Sequence, residues 1–265
     1  EVKNDFKNAV RIAAESGFDA VEVHAGHGYL ISQFLSPYTN KRRDAYGGSF
    51  ENRKRFMTEM LMAVRESMPS NMAMIVKMNC WDGFESGITK EEGVLTAKAI
   101  EQCGADAVVV SGGFVSRAPM YVMRGRMPVD IMAYFIRDGL KKYFVKLAGQ
   151  QLIPSVPYVE GYFMEEAKRI QQAIKIPVVL VGGMNSMHTI EKAMSEGFQW
   201  IAMARALIEN MNFINDLRNE VIDKSSCTIC NYCVAKMYSG EMSCHLHEMN
   251  LPEELKQKIA ALNYA

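Results

Sequence analysis

Apolar positions in this chain fall into two alternating patterns: short near-continuous runs, and longer stretches with apolar residues three and four apart. Residues 3–16 place Phe6, Val10, Ile12 and Ala13 at roughly helical spacing, and Gly17 stops the run. FDAVEVH (18–24) then predicts a strand. Ser49 as a cap, with Glu51 and Asn52 in the first turn, predicts a helix over 50–67. MAMIVKM (72–78) is the next strand. Thr89 with Glu92 three residues on forms a capping box that opens a helix over 90–102. ADAVVVSGG (105–113) reads as a strand ending in a double glycine, and a helix at 162–174 leads to the strand IPVVLVGG (176–183). A helix at 186–196, a strand QWIAMAR (199–205) and a helix over 207–222 complete the pattern. One helix followed by five β–α steps is the signature of a parallel sheet, and the unbroken apolar runs predict strands buried on both faces.

Two architectures accommodate such a chain, a doubly wound sheet and a (β/α)8 barrel. The first βα turn reads HAGHGYL and lacks the G-x-G-x-x-G dinucleotide fingerprint. The last two units instead carry Gly182 and Gly183, then Arg205, where a barrel holds its phosphate site after strands seven and eight. A barrel takes about 250 residues, but here a long connection (115–160) and a tail use much of the length. The expectation is an α/β fold of the (β/α)8 TIM-barrel type, with the C-terminal five βα units present and the first three missing. Residues 1–222 would form this partial barrel, and 223–265 a Cys-rich extension with a terminal helix.

Composition narrows the function. The chain has 265 residues, 49% hydrophobic and 23% charged, which excludes a disordered or fibrous protein. Thirty basic residues balance thirty acidic ones, which argues against partners such as nucleic acid or an anionic membrane. No stretch approaches the roughly 20 apolar residues of a membrane span. The opening EVKNDFKNAV is not a signal peptide, and a first residue other than Met suggests a processed or cut chain. Four of six cysteines (Cys227, Cys230, Cys233, Cys244) cluster near the end, unlike a secreted disulfide scaffold, so a cytoplasmic setting is expected. A homo-oligomer stays open.

Several residues could carry chemistry. His24, His27 and Tyr29 stand at the end of the first strand, where two imidazole N–H groups can polarise a carbonyl and a phenol can deliver a proton. The alternatives are a structural histidine pair, or a zinc site with too few ligands. Lys77, late in an apolar strand, needs a partner: a carboxylate or an anionic ligand. Gly182 and Gly183 with Arg205 suit an anion, since glycines let backbone N–H groups approach it. The cysteines, spaced x2, x2 and x10, could hold a [4Fe–4S] cluster or a tetrahedral zinc. Arg117, Tyr121, Arg124 and Arg126 read as a solvated loop, with a basic lid for an acidic substrate as the other option. RRDAYGG with Asn52 and Arg53 should knit a loop to a helix start, and Trp81 and the 20 methionines should fill core gaps.

VEVHAGHGYLISQFLSP followed by TNKRRDAYGGSFENRKRF closely resembles the Old Yellow Enzyme family of FMN-dependent ene-reductases. The resemblance continues through VGGMNSM, IAMARALI and CTICNYC, and is weakest over 115–160. Its nearest branch looks like the bacterial NADH:flavin oxidoreductases related to 2,4-dienoyl-CoA reductase. The resemblance implies an NAD(P)H-dependent flavin oxidoreductase acting on a small enone or enoyl substrate, with FMN as cofactor. It implies that His24 and His27 bind the substrate carbonyl, that Tyr29 protonates the α-carbon, and that Lys77 approaches the flavin ring. Gly182, Gly183, Ala204 and Arg205 would hold the FMN phosphate, although the family often has glycine where Ala204 stands. The related reductases pass electrons through a [4Fe–4S] cluster, but with one more residue in each of the last two cysteine gaps. Two alternatives follow: an iron–sulfur-linked dienoyl-CoA-type reductase, or an inactive metal-binding barrel fragment.

Overall fold

Five of the apolar runs become strands of one parallel sheet in a computed structural model that describes residues 1–237 and 242–261. These are β1 (Ala20–Ala25), β2 (Ala73–Asn79), β3 (Ala107–Ser111), β4 (Val178–Val181) and β5 (Trp200–Ala202). Each pairs with the next in sequence, so the order is β1-β2-β3-β4-β5. The register sets His24 beside Lys77, Lys77 beside Val109, and Asn79 beside Ser111. Among the described residues β1 and β5 are the two edges.

Burial along the strands corrects one expectation. Val23, Met74, Val76, Met78, Val108 and Leu180 are buried, whereas Glu22, His24, Ile75, Lys77, Val179 and Val181 are half-buried or exposed. One face of the sheet is therefore buried across β2 to β4, whereas on the other only β3, through Val109 and Ser111, and Asn79 at the end of β2 are buried. The period-two alternation of side chains produces this contrast once one face is covered more fully than the other.

The helices are α1 (Val2–Glu15), α2 (Leu30–Leu35), α3 (Phe50–Ser67), α4 (Lys90–Gln102), α5 (Pro119–Met123), α6 (Val129–Phe135), α7 (Gly139–Leu152), α8 (Met164–Gln171), α9 (Met187–Ser195), α10 (Arg205–Glu209), α11 (Phe213–Arg218), α12 (Tyr232–Lys236) and α13 (Glu253–Ala260). The N-cap side chains act as the sequence predicts, Asn52 N–H donating to Ser49 Oγ and Glu92 N–H to Thr89 Oγ1, but the Glu92 carboxylate of the expected capping box accepts from Arg53 instead. Asn52 Nδ2 donates to Gly47 O, and the buried Arg53 bonds Gly48 O, Leu35 O and Glu92, so the RRDAYGG loop is tied to α3 as expected.

Two other expectations are corrected. The helix over 207–222 is split into α10 and α11, because the Asn210 side chain bonds Asp216 and the Asn212 N–H, competing with the helical backbone. The connection over 115–160 is no bare loop: it forms α5, α6 and α7, and Arg124 lies over the rings of Tyr121 (4.3 Å) and Tyr162 (4.5 Å). Of the extension expected over 223–265, residues 238–241 and 262–265 lie outside the described residues.

The chain divides into two compact units. The first, residues 1–116, 163–182 and 193–202, holds the sheet and is filled largely by methionine and branched aliphatic side chains such as Met57, Leu61, Met74 and Ile100. The second, residues 117–162, 183–192 and 203–265, is built around Met120, Ile131, Tyr232, Leu255 and Ile259, with Phe213 and Leu217 in a smaller cluster.

Candidate functional site

His24 ends β1 on the open face of the sheet, and the chain turns through Gly26–His27–Gly28 into α2. A side chain at Gly28, where φ is +83°, would strike the Phe114 ring at 2.5 Å. The turn brings three rings together: His24 and His27 at a centroid distance of 4.9 Å, edge to face, and His24 and Tyr29 at 5.0 Å. Gly26 N–H donates to His24 Nδ1, which leaves the His24 ring proton on Nε2. Burial and the neighbouring Lys77 charge lower the His24 pKa against the opposing pull of Glu22. Burial, then His24 and Lys77, hold His27 down at about 4. Both shifts favour the neutral imidazole, which keeps one N–H to donate.

His27 adopts φ +59°, uncommon for a residue with a Cβ. Its backbone N–H donates to Asn79 Oδ1 (3.0 Å), and Asn79 Nδ2 donates to Asp82 Oδ1 (2.7 Å) and to Gly113 O (2.8 Å). Asp82 is fully buried and also receives Ser36 Oγ and Ile88 N–H. Burial raises its pKa, and those hydrogen bonds oppose the rise. His27 Nε2 meets Ser111 Oγ at 2.7 Å. Sequence reasoning missed Asn79, Asp82 and Ser111; the only signal was polar residues closing two apolar runs. Lys77 Nζ meets Glu22 Oε1 at 2.5 Å, so it has the carboxylate partner that its strand position called for, half-exposed instead of buried.

In the second unit Gly183, at φ +73°, lies against the backbone of 159–161, and an added Cβ would meet Gly161 N and Val159 O at 3.1 Å. Glycine is needed there for that close approach. At the start of α9, Ser186 and Thr189 hydroxyls donate to Glu160. Ala204 precedes α10, and Arg205 Nη1 donates to Asn231 Oδ1 (2.8 Å). The Arg205 guanidinium lies 5.9 Å from the centroid of the Tyr158 ring, whose buried hydroxyl has no hydrogen-bond partner among the described residues. An orphaned hydroxyl donor beside a guanidinium fits an anion such as the flavin phosphate.

Cys227, Cys230, Cys233 and Cys244 line one cavity with Arg205 and His245. Each sulfur accepts a backbone N–H, from Ile229, Tyr232, Val234 and Leu246 respectively. Ile229 and Asn231 take φ of 57° and 55°, a costly conformation for a β-branched residue that helps the loop present its N–H groups. Burial pushes Cys233 up to about 11 and raises Cys227 and Cys244. At Cys230 burial acts the same way, but hydrogen bonds from His245, the Tyr232 backbone and Thr228 outweigh it and lower the pKa. Among the described residues no three His, Cys, Asp or Glu side chains converge as a single metal ion requires. Four thiols around one cavity supply the ligand number that either an iron–sulfur cluster or a tetrahedral zinc takes.

The sequence profile described as the NADH:flavin oxidoreductase / NADH oxidase family matches residues 1–224. The 4,4'-dithiodibutanoate disulfide reductase of Rhodococcus erythropolis is 38% identical over 242 residues, 90% of this chain and 59% of that protein. A 2-naphthoyl-CoA reductase in complex with 2-naphthoyl-CoA superposes with a TM-score of 0.70 at 26% identity, covering 97% of this chain and 34% of that one. An old yellow enzyme homologue from Zymomonas mobilis superposes with a TM-score of 0.58 at 21% identity over 85% of this chain and 53% of its own. The five-stranded parallel sheet is thus part of a TIM-barrel wall, and the chain spans about a third to three-fifths of these three proteins.

Proposed function

Because the chain belongs to the NADH:flavin oxidoreductase / NADH oxidase family, we propose that it reduces the carbon–carbon double bond of α,β-unsaturated carbonyl compounds, using FMN and NAD(P)H. The observation that carries this reading is the cluster of His24, His27 and Tyr29 at the end of β1. FMN, when bound, would supply the hydride, with NADH or NADPH as its reductant. Lys77 is assigned to the flavin ring, and Gly182, Gly183, Ala204 and Arg205 to its phosphate. The orphaned Tyr158 hydroxyl beside Arg205 supports the second assignment.

His24 and His27 donate N–H groups to the substrate carbonyl oxygen and stabilise the negative charge that grows there as the β-carbon accepts hydride. Neutral rings suit this task, since an imidazolium would give its proton away. Tyr29 donates its phenolic proton to the α-carbon, so one hydride and one proton complete the saturated product. With 54% of its surface exposed, Tyr29 regains its proton from water. Tyr29→Phe should slow enone reduction by orders of magnitude and leave flavin reduction by NAD(P)H nearly unchanged, measured as separate half-reactions by stopped-flow absorbance. Equal loss in both half-reactions would overturn the assignment.

The likeness to a disulfide reductase favours a second reading, in which an organic disulfide is the electron acceptor. Parallel assays with an enone and with 4,4'-dithiodibutanoate separate the two. Turnover of the disulfide alone, unaffected by Tyr29→Phe, would select the second. None of the described helices is long and apolar enough to cross a membrane. The clustering of four cysteines near the end of a 265-residue chain, unlike a secreted disulfide scaffold, supports a reducing, cytoplasmic setting.

A further inference from the structure

His27 reaches its neighbours through three strands: β1 leads into its turn, β2 supplies Asn79, and β3 supplies Ser111. Ser111 is 3% exposed, and His27 Nε2 is the hydrogen-bond partner of its hydroxyl among the described residues. A hydroxyl carries one hydrogen and two lone pairs, and the neutral imidazole has one donor and one acceptor nitrogen. If Nε2–H donated to Ser111, the buried hydroxyl hydrogen would be left without an acceptor, at the cost of an unmade hydrogen bond. If Ser111 donates to Nε2, the hydroxyl hydrogen is satisfied and the imidazole proton moves to Nδ1.

We propose that Ser111 is a positioning residue that fixes His27 in its Nδ1–H tautomer, through the hydrogen bond from the Ser111 hydroxyl to His27 Nε2. The rest of the network holds the ring in place to receive it. Both Asn79 Nδ2 hydrogens are used, on Asp82 and on the Gly113 carbonyl, so Asn79 Oδ1 must face the His27 N–H. The buried Asp82 in turn is anchored by Ser36 and the Ile88 N–H. His24 carries its proton on the other nitrogen, Nε2, because Gly26 N–H occupies its Nδ1. The two imidazoles therefore present donors of opposite tautomeric form, one set by a backbone amide and one by a serine. In the proposed reaction, on which this consequence rests, His27 polarises the carbonyl through Nδ1.

The test is long-range proton–nitrogen correlation spectroscopy of the full chain labelled with 15N-histidine at neutral pH, where only five histidines contribute. His27 is assigned by its loss in His27→Gln. The expected spectrum shows His27 as Nδ1–H by at least tenfold and His24 as Nε2–H. Ser111→Ala should shift His27 to a mixture or to Nε2–H, and Ser111→Thr, which keeps the hydroxyl, should restore the wild-type pattern. Enone turnover should follow, with kcat falling about tenfold in Ser111→Ala, KM little changed, and recovery in Ser111→Thr. A wild-type spectrum showing His27 as Nε2–H overturns the proposal even if the alanine variant fails to fold, and so does an unchanged pattern in Ser111→Ala. If the wild-type protein reduces no enone, the reaction assigned above falls while the tautomer remains decided by the spectrum alone.

Discussion

At the scale of single residues, the imidazole at position 27 shows how packing sets chemistry. Burial first, then the His24 ring and the Lys77 charge, bring its pKa to about 4, below the ordinary value of 6.5. Between those two values the unfolded chain binds a proton that the folded chain refuses. Stability therefore rises with pH across that window and gains nothing further from His27 above it. His27 should show no protonation shift in an NMR titration from pH 8 down to about 5, and the enone-reduction profile should carry no inflection from it there. A midpoint near 6.5 would refute the burial described. His24, His27 and Tyr29 were legible in the sequence because six consecutive positions hold them. Ser111 and Asn79 were not, since they reach His27 from 84 and 52 residues away through strand register.

Among elements, those with complete local signals were legible. α3 and α4 start at the caps Ser49 and Thr89, and both run as far as their apolar periodicity predicts. By contrast α5 and α6 take their stability from residues remote in sequence, since Met120, Ile131 and Met132 pack with Tyr232, Leu255 and Ile259. No local pattern could announce that core. The Cys227–Cys244 loop lies between these cases, its spacing readable and its backbone N–H donors visible only once folded. Anaerobic purification should yield about four irons per chain if these sulfurs hold a [4Fe–4S] cluster, measured by iron assay and visible absorbance. One zinc and no iron would assign the loop a structural role. Cys230→Ser should remove most of the iron, because a [4Fe–4S] cluster takes four cysteine ligands and Cys230 is one of the four that line the cavity.

For the molecule as a whole, the sheet matters most. The proteins it resembles are longer, and the described strands leave β1 and β5 unpaired on one side and one sheet face half-open, with Trp200 60% exposed. Open edges and uncovered apolar surface favour association. The 265-residue chain should therefore aggregate at high concentration and bind FMN far more weakly than a version of full family length. Sedimentation and a fluorescence titration with FMN would measure this, and equal affinity in a monomeric chain would refute it. The sequential strand order carries a consequence for the economy of chain closure. Val108 pairs with Val178 and Val179 with Trp200, a roughly threefold difference in chain separation that loop-closure entropy converts to only about 1 kcal/mol. The β3–β4 junction can therefore lengthen with almost no entropic penalty to the pairing of the sheet, while α5 and α6 stay fixed by their own core. That makes it the place where insertions of differing size are most cheaply accommodated.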